Sequence, residues 1–355
     1  MEKPDPRGFD ETQWRRALEQ LQQPYYRAKQ IREWLVAKRV CDPQQMTNLP
    51  KQLRNTLATQ WWWAPAEIVT RREDPLDGTV KWLLRLADGE TVETVLMRYK
   101  SGNTVCVSSQ VGCHIGCRFC ASSLHGLVRN CSAAEMIEQV LTADRELARQ
   151  GERVDRVVVM GSGEPFENYT ETMRFVDLLI DPDGMGIGQR HVTVSTSGMV
   201  PRIYDFAERH LQVRLAISLH APNDAIRTQL VPLNRKWPID KVLEAAQAYV
   251  EETHRRVSFE YAMIHGVNDA PEHAEELAER IKDLRCLVNL IPLNEVPERG
   301  MVGSTPQAIH AFQEKLQERG IVCTVRRSLG RTIDAACGQL RAGFVSLPTP
   351  VHTAL

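Results

Sequence analysis

The sequence predicts an α/β fold: a parallel sheet wound by helices into a partial (βα)6-type barrel, preceded by a small N-terminal helical domain and short antiparallel strands. Three observations carry this. From about residue 103 the pattern alternates between strand-like and helical segments, the signature of parallel βα units. Residues 1–65 place apolar side chains at helical spacing. Between these regions, residues 66–102 carry strand-like runs broken by two Asp-Gly pairs, which are hairpin turn signals.

In the first region Asp10 stands at an N-cap position, with Trp14, Leu18 and Leu21 following at helical spacing. "YYRAKQIREWLVAKR" repeats the pattern with Ile31, Trp34 and Leu35, and "LPKQLRNTLATQWWW" reads as a third short helix. Residues 1–60 hold eleven Lys/Arg against seven Asp/Glu, an excess of +4 in a chain of net charge −1. That excess suits an anionic partner, and equally a solvated helical face. In the barrel region the strand candidates are "TVCVSS", "RVVVMG", "HVTVST", "VRLAISL", "VSFEYAMI", "LVNLIPL" and "IVCTVR". Helical patterns occupy 132–149, 170–180, 201–210, 238–253, 271–284 and 305–319. The expected division is a helical accessory domain at 1–65, an antiparallel connector at 66–102, the barrel at 103–326 and a C-terminal segment at 327–355.

The chain has 355 residues, 43% of them hydrophobic, enough for a substantial core. Its near-neutral charge means that a nucleic-acid partner has to be argued from local patches. No apolar run approaches the ~18 residues of a membrane span, and the N-terminus lacks a segment of the signal-peptide type. Nine cysteines in a long chain favour metal binding or catalysis over a disulfide framework. A cytoplasmic protein without membrane association is expected.

Chemistry in a βα barrel gathers at the C-terminal ends of the strands. There, directly after the first barrel strand, stands "GCHIGCRFCAS", with Cys113, Cys117 and Cys120 spaced C-x3-C-x2-C. Closed zinc sites take four ligands, and iron–sulfur clusters usually take four cysteines. Three thiols leave one metal position open to a substrate or cofactor. Zinc completed by His114 or His125 is the alternative, and it would make the chain a non-catalytic, zinc-stabilised RNA-binding protein. The turn "GSGEPFENY" offers Gly161 and Gly163 for close backbone approach and Glu164 as a carboxylate beside it. "STSG" with Ser195, "ISLHAPND" with Ser218, Leu219 and His220, and "IPLNEV" with Asn294 end further strands. Each alone reads as a turn or cap; together they fall on one rim.

The cysteine loop, with Phe119 before its last cysteine, resembles that of the radical S-adenosylmethionine (SAM) superfamily. "CVSSQVGC", "GSGEP", "STSG", "SLHAPN", "LVNLIPLN" and "IDAACGQL", with "YYRAKQIREWL" and "MTNLP" before them, closely resemble the RlmN/Cfr family of RNA adenine methyltransferases over about residues 20–342. The resemblance implies a [4Fe–4S] cluster on Cys113, Cys117 and Cys120, its open iron chelated by SAM. It implies SAM contacts from Gly163, Glu164, Ser195, Ser218, Leu219, His220 and Asn294. It further implies that Cys337 carries the methyl group and that Cys106 resolves a covalent enzyme–RNA adduct, ending as a Cys106–Cys337 disulfide. Glu93 matches the family's proton acceptor, although taken alone it reads as a solvent-facing strand residue. Cys41, Cys131, Cys286 and Cys323 read as inert thiols of the kind that apolar segments bury.

The implied substrate is an adenosine of the peptidyl-transferase region of 23S rRNA. RlmN-type members methylate carbon 2 and can also modify adenosine 37 of some tRNAs. Cfr-type members methylate carbon 8, which confers antibiotic resistance. Pro165 matches the RlmN type, where Cfr-type members have Ala. Phosphate contacts are expected from Arg15, Arg16, Arg27, Lys29, Arg32, Lys38, Arg39, Lys51 and Arg54, and from Arg326, Arg327 and Arg331 beside Cys337. The Trp61–Trp63 run could stack a base, although adjacent tryptophans at a domain junction more often pack. A separate electron-donor protein and a monomeric state complete the expectation.

Overall fold

The structure, a computed structural model, describes residues 3–327 together with Leu329, Gly330, Ile333 and Gly343. Helix α1 spans Glu11–Gln20, α2 Tyr26–Arg32 and α3 Lys51–Gln60. Asp10 caps α1 as its sequence position predicts: its carboxylate accepts from Gln13 N at 2.8 Å, and the Gln13 side chain accepts from Asp10 N at 3.0 Å. The second segment is shorter than its periodicity suggests, because α2 passes into a π-type turn over Glu33–Ala37. The third stops at Gln60, and Trp61 is already extended. Phe9, Trp14, Ile31, Leu35, Leu53, Leu57, Trp61 and Trp63 form a core of their own. Trp61 and Trp63 therefore pack, stacked with centroids 5.9 Å apart, while Trp62 is exposed.

Four strands follow: β1 (Glu67–Glu73), β2 (Val80–Arg85), β3 (Thr91–Tyr99) and β4 (Gly102–Cys106). They pair antiparallel in sequence. A separate two-stranded ribbon, β5 (Gln110–Gly112) with β6 (Leu127–Asn130), frames the cysteine loop. The winding then runs α4 (Ala133–Ala148), β7 (Arg156–Val159), α5 (Tyr169–Ile180), β8 (Val192–Thr196), α6 (Val200–Ala207), β9 (Arg214–Ser218), α7 (Asp224–Leu230) and α8 (Ile239–Thr253). It ends with β10 (Val257–Met263), α9 (Pro271–Ile281), β11 (Cys286–Pro292), α10 (Pro306–Glu318) and β12 (Cys323–Val325).

One ten-stranded sheet has the order β1-β2-β3-β4-β7-β8-β9-β10-β11-β12. β4 and β7 to β12 are parallel. Among the described residues β1 and β12 are both edges, so the barrel they form is open. The antiparallel strands are continuous with it through the β3–β4 pairing and do not form a separate sheet. Alternate strand residues, among them Val157, Val159, Val194, Leu215, Ile217, Phe259, Val288 and Leu290, pack outward against the helices. The intervening residues face the barrel interior.

The helical domain meets α4 and α5 through charge. Glu138 accepts from Arg7 at 2.5 Å, from Arg145 at 2.8 Å and from the Ala66 amide at 3.1 Å. Burial would raise its carboxyl, but Arg7 and Arg145 outweigh that and hold it below its ordinary value. Arg39–Asp144, Lys29–Asp183, Arg32–Asp181 and Arg174–Asp10 extend the seam. Among the described residues no helix is long and apolar enough to cross a membrane. Glu138→Ala strands two buried or half-buried arginines, so we expect a loss of about 3 kcal/mol in urea denaturation, with Glu138→Gln intermediate.

Candidate active site

The cysteine loop leaves β5 through Gly112, whose φ is +81°. A Cβ there would lie 2.0 Å from Gly126 O, so only glycine lets the two arms of the ribbon close. The loop is held from within by Cys113 N donating to Gly126 O at 3.0 Å and Ser123 Oγ donating to Cys117 O and Cys120 O, both at 3.2 Å. It is held from outside by Arg118 N donating to Leu230 O of α7 at 2.9 Å and by Arg299 donating to Cys120 O and Ser123 Oγ. Cys113 and Cys117 sit among Ile115, Phe119, Ile226, Leu230, Val231 and Ile264.

In this apolar setting burial pushes the Cys113 thiol up to about 12, with Cys120 and Glu164 adding to it. Cys117 is raised well above its ordinary value by burial and by its two neighbouring thiols. Thiolates there need a positively charged group to bind. Three soft donors without a fourth protein thiol fit an iron–sulfur cluster with one free corner. Among the described residues no three His, Cys, Asp or Glu side chains gather about one point as ligands of a single ion. His114 is exposed and pairs with Glu167 at 3.0 Å.

The neighbouring turn locks onto the same loop. Gly163 has φ +107°, and a Cβ there would meet Gln110 Cβ at 2.6 Å; one on Gly161 would meet Ser108. Both glycines thus serve contact with the chain's own β4–β5 segment. Gln110 Oε1 accepts from Glu164 N at 2.8 Å. The Glu164 carboxylate is buried and accepts from Phe166 N at 3.0 Å, Ser197 N at 2.7 Å and Ser197 Oγ at 2.6 Å. Burial raises its pKa, and those donors oppose the rise. Ser195 is buried within β8, Ser218 is half-buried at the end of β9, Leu219 is buried, and Asn294 is exposed on the loop after β11.

His220 lies edge-on to Phe119 with ring centroids 4.7 Å apart. Its Nδ1 accepts from Ala262 N at 3.0 Å, and its carbonyl accepts from Asn268 at 2.8 Å. An accepting Nδ1 requires a neutral ring with its proton on Nε2. Burial, with Arg227 nearby, pushes the pKa down to about 3.

Arg227 itself was not singled out by sequence reasoning, since nothing marks an arginine on a short helix as interior. It is fully buried and donates to Ser197 O at 2.6 Å, Leu219 O at 3.2 Å and Asn234 Oδ1 at 2.8 Å. It thereby ties the ends of β8 and β9 together beside the cysteine loop.

Cys106 ends β4 and is buried with Val95, Met97, Val158 and Met160 on the interior face. The register Lys81↔Val95↔Cys106↔Val158 aligns these residues across four strands. The solvent-facing reading of Glu93 is wrong. It is 3% exposed and pairs at 3.0 Å with Lys81, which is completely buried. Strict alternation along "TVETVLM" does place Glu93 on the face of Val95 and Met97; the error lay in assuming that this face meets water. Cys131, Cys286 and Cys323 are buried, and Cys41 touches Arg145 at 3.3 Å. Cys337 and Arg331 lie outside the described residues.

Of the basic N-terminal residues, Arg15, Lys29, Arg32, Lys38 and Arg39 are engaged with carboxylates. Arg16, Arg27, Lys51 and Arg54 have no carboxylate partner among the described residues.

Comparison with known proteins agrees with this geometry. The Radical SAM superfamily pattern matches residues 107–281, and the pattern of the ribosomal RNA large subunit methyltransferase N-terminal domain matches residues 7–61. A crystal structure of a radical SAM methyltransferase from Sphaerobacter thermophilus superposes with a TM-score of 0.92 at 47% identity, covering 96% of this chain and 99% of that one. The probable dual-specificity RNA methyltransferase RlmN of Staphylococcus saprophyticus is 52% identical over 94% of this chain and 91% of its own length. The protein of the same name from Halalkalibacterium halodurans is 52% identical over 92% and 90%. The fold and cysteine loop thus define a radical SAM enzyme, one of a class that uses a [4Fe–4S] cluster and SAM. Within that class the chain belongs to the RlmN family of RNA methyltransferases. The non-catalytic zinc alternative finds no support in these matches.

Below the ordinary histidine value the unfolded chain takes up a proton that folded His220 refuses. Stability from this group is therefore full above about pH 6.5 and falls as pH drops toward about 3, by about 1.4 kcal/mol per pH unit at most. Nitrogen-15 NMR should find the Nε2–H tautomer unchanged from pH 7 to pH 5; a titrating signal in that range would contradict the assignment.

Proposed function

We propose that this protein methylates carbon 2 of an adenosine in the peptidyl-transferase region of 23S rRNA, and adenosine 37 of tRNA as a second substrate. The observation that carries the reading is the shared interior face of Glu93 and Cys106, where Leu329, eight residues before Cys337 in the sequence, packs on the cluster that contains Cys106. The dual specificity in the relatives' names supports two RNA substrates. Pro165 and the RlmN likeness favour carbon 2 over carbon 8.

Adenine carbon 2 is an electron-poor amidine carbon with no lone pair, so it cannot displace a methyl group from a sulfonium. Bound together, the cluster and SAM supply the one-electron chemistry that such a carbon requires. In this reading Cys113, Cys117 and Cys120 hold the cluster. Gly163, Glu164, Ser195, Ser218, Leu219, His220 and Asn294 hold SAM. The fixed tautomer of His220 leaves Nε2–H as a donor. Cys337 carries the methyl group, Cys106 resolves the adduct by forming a disulfide with it, and Glu93 accepts a proton, its carboxylate oriented by Lys81. The target base leaves its stack to reach this interior. Arg16, Arg27, Lys51 and Arg54 are the free cations best suited to RNA phosphates. The protein acts as a cytoplasmic monomer supplied by a separate electron-donor protein.

Mass spectrometry of 23S rRNA and tRNA from cells lacking the gene should show loss of 2-methyladenosine; loss of 8-methyladenosine instead would move the reaction to the other carbon. In anaerobically purified protein, Cys337→Ala should retain SAM cleavage and lose RNA methylation. Cys106→Ala should accumulate a protein–RNA adduct visible on denaturing gels; clean turnover by either variant would refute its assigned role.

A further inference from the structure

The antiparallel strands before the barrel have no part in holding the cluster or SAM, yet their first turn touches the far end of the chain. In the β1–β2 turn, Gly78 N donates to Asp74 O at 2.9 Å, and Asp77 Oδ1 accepts from Thr79 N at 2.9 Å. The second carboxylate oxygen, Oδ2, accepts from Gly330 N at 2.9 Å, across 253 residues of sequence. Gly330 is buried and has φ +65°, a left-handed conformation suited to glycine. One residue earlier, Leu329 packs on the cluster of Val95, Met97 and Cys106, with Tyr99, Val158 and Met160 around it. Ile333 N then donates to Gly330 O at 3.2 Å. Two contacts of different kinds, a charge-assisted hydrogen bond and an apolar seat, thus fix the chain seven residues before Cys337.

We propose that Asp77 is a positioning residue: with Leu329 it latches the C-terminal segment to the sheet and so sets the approach of Cys337 to Cys106. This rests on the reading of Cys106 and Cys337 as a working pair. Seven residues span at most about 25 Å, and Leu329, next to Gly330, packs on the cluster that contains Cys106. Loss of the latch removes this fixed point and with it the direction of approach. Leu76 is 82% exposed in the same turn and touches neither partner, so it serves as the control.

The test uses anaerobic, cluster-loaded full-length protein. Hydrogen exchange is followed on the peptide bearing Gly330, and methylation of a 23S rRNA fragment is measured over a range of RNA concentrations. Asp77→Ala should lose protection at Gly330 and lower kcat about tenfold, with KM for RNA within twofold of wild type. Asp77→Asn keeps one accepting oxygen for two N–H groups and should fall between. Leu329→Ala should lower kcat similarly, and Leu76→Ala should match wild type. Unchanged exchange in Asp77→Ala, or lost protection with unchanged kcat, overturns the proposal. Wild-type protein that methylates no RNA overturns the functional reading beneath it, while the exchange data still decide whether the latch exists.

Discussion

Everything at the site follows from parallelism. Because β4 and β7 to β12 run in one direction, their C-terminal ends share one rim, and each following turn delivers its polar residues to the same place. Parallel ends diverge unless something holds them, and here buried polar side chains do so. Arg227 bridges the carbonyls after β8 and β9, Gln110 grips the turn after β7, and Asn268 grips both His220 and Ala262. Each places a polar side chain in a dry interior with its hydrogen-bonding capacity met by backbone and side-chain partners. The rim is thus rigid before any cofactor arrives, which is what a radical reaction needs from its container.

The interior of the same sheet is the second level of organisation. Its outward face is a continuous apolar layer under the helices, while its inward face carries Lys81, Glu93, Cys106, Glu260 and Asn289. These are not stray charges. Glu93 pairs with Lys81, and Glu260 accepts from Asn289 and Ser258. Extending the barrel sheet by three antiparallel strands widens this face, so that Glu93 on β3 and Cys106 on β4 belong to one wall.

Much of this was legible in the sequence. The alternation after residue 103 gave the parallel strands to within three residues at each end, and the C-x3-C-x2-C loop fell where the barrel rule places it. Other features escaped for physical reasons. Helix α7 is one of the shortest, with seven residues, too few for a periodic signal. The Lys81–Glu93 pair lies in strands whose both faces are buried, so charge was mistaken for exposure. That a Cβ on either glycine of the GSGE turn would meet Ser108 or Gln110 is a packing constraint that only the folded chain reveals. Four basic residues of the helical domain, Arg7, Lys29, Arg32 and Arg39, are spent on the seam with α4 and the end of α5, something only the folded arrangement reveals.

The sulfurs of the loop have a further consequence for maturation. With Cys113 pushed up to about 12 by burial, and Cys117 higher than its ordinary value for the same reason, the newly folded protein carries these side chains as protonated thiols. Such thiols are poor nucleophiles and slow to oxidise. Any metal bound through them displaces their protons, which couples its binding to the acidity of the surroundings.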